Sequence, residues 1–208
     1  MPKPFSEHER QIIQQNLLDK GYDLFCAHGL TKVSVAELAQ AAAISKGAFY
    51  QFYDSKEALF MDIVEEAEKR YRLELFQLID QPGPSMHARL HAVLERAMSL
   101  WHEIPILQFF ASDDYNLLVR RMPPDRLQEH MGSDQVFLEQ FIDSCRSAGI
   151  PIKISADAFR NLLYALLLLV MHCDDFGEGL LNGTFDIMLK LVTAYCLGEV
   201  PSVPIIID

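Results

Sequence analysis

A chain of 208 residues, half of them apolar, can form one large domain or two small ones with a good core. Its longest apolar run, Leu162 to Met171, stops at ten residues, short of the ~18 that a membrane span needs. The net charge of −11 argues against a protein that coats nucleic acid without specificity.

Met1–Phe5 leads into a charged helix with no signal-peptide core. Cys26, Cys145, Cys173 and Cys196 are scattered with no close spacing. Reduced core thiols and a cytoplasmic location are expected.

The predicted elements are all helical. Residues 6–28 form a first helix whose inner face is Ile13, Leu17, Tyr22, Leu24 and Phe25, ending at His28-Gly29 in a left-handed glycine cap. Ser34 followed three residues on by Glu37 is a capping-box signature for a second, short helix. Ser45 caps a third helix that opens Lys46-Gly47-Ala48-Phe49-Tyr50-Gln51. Leu30, Val33, Val35, Leu38, Ile44, Phe49 and Phe52 should close a small core. A cap at Asp54 or Ser55 then starts a long helix to about Ile79, apolar at Leu59, Phe60, Ile63, Val64, Ala67, Tyr71, Leu75 and Leu78. Two short helices joined by a tight turn make a helix-turn-helix, whose second helix enters the major groove.

Gln81-Pro82-Gly83-Pro84 breaks the chain. Helices are expected at 85–102, in one or two pieces at 106–121, at 134–148, at 155–174 and at 184–197, with further breaks at Pro123-Pro124, Gly132-Ser133 and Asn182-Gly183. The tail 201–208 carries Ile205-Ile206-Ile207 with no evident partner strand.

Charge is unevenly placed. Residues 1–56 hold six basic side chains (Lys3, Arg10, Lys20, Lys32, Lys46, Lys56) and six acidic ones (Glu7, Glu9, Asp19, Asp23, Glu37, Asp54), so the −11 resides in the rest of the chain. A neutral end on an acidic body suits a protein that presents one end to DNA and depends on placed contacts more than on bulk charge.

The segment 34–60 resembles the DNA-binding domain of the TetR family of bacterial transcriptional regulators. The residues that carry this are Ser34-Val35-Ala36-Glu37-Leu38-Ala39, Ile44-Ser45-Lys46-Gly47-Ala48-Phe49-Tyr50, Phe52 and Ser55-Lys56-Glu57-Ala58-Leu59-Phe60. Two positions depart from the pattern. Ala43 stands where the family's turn has glycine, which places an alanine at a backbone position that wants positive φ, and Gln51 stands where the family often has histidine. The resemblance implies an all-α homodimer: a three-helix helix-turn-helix domain at residues 1–54, and a larger regulatory domain at 55–208 that binds an effector and dimerises. It further implies a repressor that releases a palindromic operator when a small molecule binds, in the cytoplasm at the nucleoid, without catalysis, metal or cofactor.

On that reading Thr31, Lys32 and Ser34 meet phosphates near a helix N-terminus. Ser45, Lys46, Gly47 and Ala48 open the recognition helix, the small side chains allowing close approach to base edges. Tyr50 donates to a phosphate, Gln51 reads adenine or backbone, and Lys56, a cation at a helix start, awaits a phosphate. Phe76, Trp101, Phe109, Phe110, Phe137, Phe141, Tyr164 and Met171 are candidates for an apolar effector cavity, with His172 as a polar anchor. Leu163, Leu167 and Val170, with Phe185, Met188, Leu189 and Val192, are candidates for the dimer interface, because the 155–174 helix is apolar all round and needs burial on both faces.

The competing reading is an all-helical Mg-dependent enzyme acting on a diphosphate, from Asp174-Asp175 with Glu178 and a second acidic pair, Asp113-Asp114. Gly177 breaks the helix that such a site would need. A metal site from His172, Cys173 and Asp174 is disfavoured because adjacent residues on a helix point apart.

Overall fold

The computed structural model describes residues 5–171 and 180–199. Among these every regular element is helical: α1 (Glu7–Lys32), α2 (Val35–Ala41), α3 (Lys46–Phe49), α4 (Lys56–Ile79), α5 (Met86–Glu103), a 3-10 segment (Pro105–Ala111), α6 (Asp113–Arg121), α7 (Pro124–Ser147), α8 (Ala156–Met171) and α9 (Leu180–Cys196). No described helix is long and apolar enough to cross a membrane. The chain divides into two compact units, Met1–Arg70 with Ile104–Leu127, and Tyr71–Glu103 with Gln128–Asp208. Both α4 and α7 contribute residues to each.

In the first unit α1 runs to Gly29, where φ of 77° interrupts it before a last turn to Lys32. Leu17, Phe25, Leu30, Val33, Leu38, Phe49, Leu59, Phe60 and Val64 are buried together, while Val35, Ile44 and Phe52 are half-buried at the margin. The α1–α4 approach is very close at Gly21, where a Cβ would lie 2.8 Å from Ile63 Cδ1. Phe60 packs edge-on to Phe25 at 5.1 Å and against Phe109 of the 3-10 segment at 4.3 Å. Ion pairs from Arg121 to Glu57 and from Arg126 to Asp62 and Glu65 fasten the 104–127 stretch to α4.

The second unit is a packing of α5, α8 and α9 with the later parts of α4 and α7. Leu90, Val93, Leu94, Ala97 and Met98 of α5, Phe141 and Cys145 of α7, Phe159 and Leu166 of α8 and Leu189 of α9 are buried. Arg89 satisfies the ends of two helices at once, donating to the carbonyls of Ile79, Gln81 and Ala148. Cys145 and Cys196 are buried, which pushes both thiols up to about 12. Cys26 is half-buried, and Cys173 lies outside the described residues.

Two expected breaks are absent. The helix α7 continues through Gly132-Ser133, and α9 begins at Leu180 and continues through Asn182-Gly183. Gly132 and Gly183 take no positive φ, so each costs its helix only ~1 kcal/mol, which packing of the flanking apolar face outweighs. The 201–208 tail lies outside the described residues.

Candidate nucleic-acid interface

The reading head is built by caps. Ser34 Oγ accepts from the Glu37 N–H at 3.3 Å and Glu37 Oε2 accepts from the Ser34 N–H at 2.8 Å, closing the capping box. Hydrogen bonds from the Ser34 side chain and from its backbone N–H hold the Glu37 carboxyl below the usual carboxylate range. Then α2 ends in a Schellman turn, with Ile44 N–H on Ala39 O at 2.9 Å and Ala43 N–H on Gln40 O at 3.0 Å. Its left-handed position is Ala43, with φ of 57°, the one non-glycine with positive φ among the described residues. The departure noted in the sequence is therefore a real strain of about 1 kcal/mol.

At the start of α3, Ser45 Oγ accepts from the Ala48 N–H at 3.1 Å. Phe49 is fully buried and Ala48 nearly so, so the Ala48 methyl faces the core and not the groove side, contrary to expectation. Lys46, Gly47, Tyr50 and Gln51 are exposed, Tyr50 to 50%. Lys46 and Lys32 have no hydrogen-bond or ion-pair partner among the described residues. A Cβ on Gly47 would meet only Ser45 Oγ, at 3.9 Å. Arg10 was not anticipated as part of this surface. It lies over the Phe52 ring at 4.9 Å and donates to the Gln51 carbonyl at 3.2 Å, bracing the end of α3 from α1.

Two expected phosphate contacts have other occupations. Lys56 Nζ donates to the carbonyls of Leu30, Thr31 and Val33 at 2.6, 3.2 and 2.7 Å. All three ammonium hydrogens are thus spent at the end of α1, where a cation is favoured. Thr31 gives its N–H and hydroxyl to the carboxylate of Asp114 on α6.

The effector candidates fall in different places. Phe76 and Phe137 pack edge-on at 5.7 Å and line a groove of about 380 Å³ in the second unit, with Arg72, Glu129, Gly132, Ser133, Val136 and Gln140. Phe141 lies behind them, stacked on Phe159 at 5.8 Å. Arg72 is over the Phe137 ring at 4.9 Å and bonds to Ser133 and Asp134. Trp101 and Met171 are half-buried in the same unit. Phe109 and Phe110 are elsewhere: they belong to the first unit, where both ring-pack with Tyr115. Tyr164 is on the outer face of α8, 52% exposed. His172 lies outside the described residues, as do Asp174, Asp175 and Glu178 of the enzyme reading.

On α8 and α9 the strongly exposed apolar side chains are Tyr164, Leu168, Ile187, Leu191 and Tyr195. Leu163, Leu167, Val170, Phe185, Met188 and Val192 are half-buried, and Leu189 is 2% exposed within its own unit. A helix so uniformly apolar gives its phase away only through what it packs on.

Residues 17–63, spanning both capped helices, match the family described as bacterial regulatory proteins, tetR family. The likeness to the TetR family thus lies in this N-terminal segment. It is 34% identical over 79 residues to the HTH-type transcriptional regulator AcrR of Shigella flexneri, covering 38% of this chain and 37% of that one. It is 26% identical over 94 residues to the HTH-type transcriptional repressor NemR of Escherichia coli K12, covering 45% and 47%. The matched stretch is thus less than half the length of these relatives. The fold is that of the TetR-like regulators over most of the chain. The transcriptional regulator FadR of Bacillus subtilis, solved with stearoyl-CoA, superposes with a TM-score of 0.62 at 14% identity, over 86% of this chain and 97% of that one. These TetR-type relatives and neighbours are transcriptional regulators, not enzymes.

Proposed function

We propose that the chain is a sequence-specific, dimeric DNA-binding regulator, a repressor that leaves a palindromic operator when an apolar small molecule binds its second unit. DNA reading is assigned to residues 1–54 and regulation to 55–208. The observation that carries the reading is Gly47. It stands exposed in the first turn of α3, beside an unpaired Lys46, with open space where its side chain would be. Glycine there costs the helix up to ~1 kcal/mol against alanine and serves no internal contact. A surface that must approach the backbone closely explains it, and base edges in a major groove are such a surface. Lys32, Ser34, Ser45, Tyr50 and Gln51 supply the surrounding donors.

The half-buried Phe76 and Phe137 beside the groove support an effector with apolar bulk, and the acyl chain held by the FadR neighbour is of that chemistry. Such a ligand acts by binding the DNA-incompetent conformer better than the competent one. The test is fluorescence anisotropy with palindromes from the promoter beside the gene. A salt-dependent, sequence-selective complex of two chains per palindrome is expected, and equal binding to scrambled duplexes would overturn the assignment.

A further inference from the structure

Two of the seven histidines stand four residues apart on α5. Such positions lie one above the other on a helix face. The rings of His87 and His91 are near-parallel, 19° apart, with centroids separated by 6.4 Å. Both are half-buried.

The neighbours at the end of α9 decide which nitrogen of each ring carries hydrogen. His87 Nδ1 lies 2.7 Å from Glu199 Oε2. An ionised carboxylate only accepts, so Nδ1 donates. His91 Nδ1 lies 3.5 Å from Thr193 Oγ1, the outer limit of such a contact. Thr193 is fully buried and gives its one hydroxyl hydrogen to the Leu189 carbonyl at 2.7 Å. Its oxygen is left to accept, and His91 Nδ1 is again the donor. Both neutral rings are thereby set as Nδ1–H tautomers, with their Nε2 lone pairs unused by any described residue.

In metal-ligating histidines the far ring nitrogen donates to a carboxylate, backbone carbonyl or water; here the acceptors are the Glu199 carboxylate and, in the place of a water, the Thr193 hydroxyl oxygen. We propose that His87 and His91 bind a first-row transition dication of the imidazole-preferring kind, Zn²⁺, Ni²⁺ or Cu²⁺, through their two Nε2 atoms, with water completing the coordination. Ligation at about 2.0–2.1 Å needs the two Nε2 atoms to converge, and the four-residue spacing sets both rings on one face of α5. Glu199 and Thr193 are positioning residues. Bound metal links two successive turns of α5, and the inference stands whether or not the chain regulates transcription.

The test uses the full-length protein, stripped with chelator, in two measurements at neutral pH: calorimetric titration with Zn²⁺, and pulsed electron paramagnetic resonance of the Cu²⁺ form. One equivalent of Cu²⁺ with two coordinated imidazole nitrogens is expected. His87→Gln and His91→Gln should each leave one nitrogen and weaken Zn²⁺ at least tenfold, and the double variant should leave neither. Glu199→Gln should weaken Zn²⁺ by about tenfold while both nitrogens remain. Glutamine keeps helix propensity at these half-exposed positions, and circular dichroism checks the fold. Undiminished binding in the folded double variant, or wild-type protein showing fewer than two imidazole nitrogens, would overturn the site.

Discussion

Asp114 on α6 holds Thr31 twice, its carboxylate accepting from the Thr31 N–H at 3.2 Å and from the hydroxyl. The chain makes room for it at Gly29, where φ is +77° and a Cβ would lie 2.9 Å from Asp114 Oδ2. A carboxylate so placed both uses the donors that a DNA phosphate would need and repels one. Thr31→Val, which keeps the shape and removes the hydroxyl, should therefore cost about 1 kcal/mol of stability and leave the salt slope of DNA binding unchanged. A slope smaller by ~1 in a binding titration would return Thr31 to the phosphate contacts.

Lys56 is the cation that closes the end of α1, so its removal should be felt in folding first. Lys56→Met keeps the stem and strands the carbonyls of Leu30, Thr31 and Val33. The cost should be about 2 kcal/mol, seen as a lowered midpoint in chemical denaturation. Lys56→Arg should recover little of it, because a planar fork cannot direct its hydrogens at three converging carbonyls. An undisturbed midpoint for Lys56→Met would show the three contacts to be dispensable.

Gly47→Ala separates stability from recognition. In the free protein the added methyl meets open space and better helix propensity, so the melting temperature should hold or rise, by up to ~1 kcal/mol equivalent. On DNA the same methyl sits at the tip of the reading helix, and affinity for the palindrome should fall at least tenfold. A variant that binds DNA as wild type does would remove close approach as the reason for the glycine.

The Ser34–Glu37 capping box makes a pH prediction. Two hydrogen bonds from Ser34 depress the folded pKa of Glu37, so the ionised cap contributes stability that is present above the unfolded value of about 4.3. That contribution is lost as pH falls through the lower folded value. Glu37→Gln should flatten the acid limb of the melting temperature against pH while changing little at pH 7, since the amide oxygen still accepts from Ser34. Identical acid limbs for the two proteins would show that Glu37 is not ionised in the cap.

The caps are also what made the head readable from sequence. Ser34, Ser45 and Ser55 each bond the N–H three residues on, a local rule that needs no knowledge of the rest of the fold. The same locality holds at helix ends: Gly149 and Gly198 take positive φ in Schellman turns like that of Ala43, whose unsuitability for the role was visible in the sequence. Long-range contacts had no such signal. Nothing near Thr31 or Lys56 announces that Asp114 lies 83 residues on in sequence but in hydrogen-bond reach, or that α1 ends in a set of carbonyls facing α4. Gly132 and Gly183 misled for the complementary reason, since a turn signal is only a propensity and packing overrode it. Phe109 and Phe110 looked like lining for an effector cavity because aromatic residues carry no label for which core they join.

The outer faces of α8 and α9 offer the sharpest test of assembly. Tyr164 and Leu168 on α8, with Ile187, Leu191 and Tyr195 on α9, leave large apolar side chains in water. They recur at helical spacing, as a self-complementary interface between two copies requires. Leu168→Glu or Leu191→Glu places a charge on that face without touching the core, so each should fold and run as a monomer by light scattering. Loss of the second reading head then weakens palindrome binding by about 10²–10⁴, the gain that linking two heads provides. Leu189→Ala is the control: at 2% exposure it should lower stability by 2–5 kcal/mol while the folded fraction remains dimeric. Dimers that survive both charged variants would move the interface off this face.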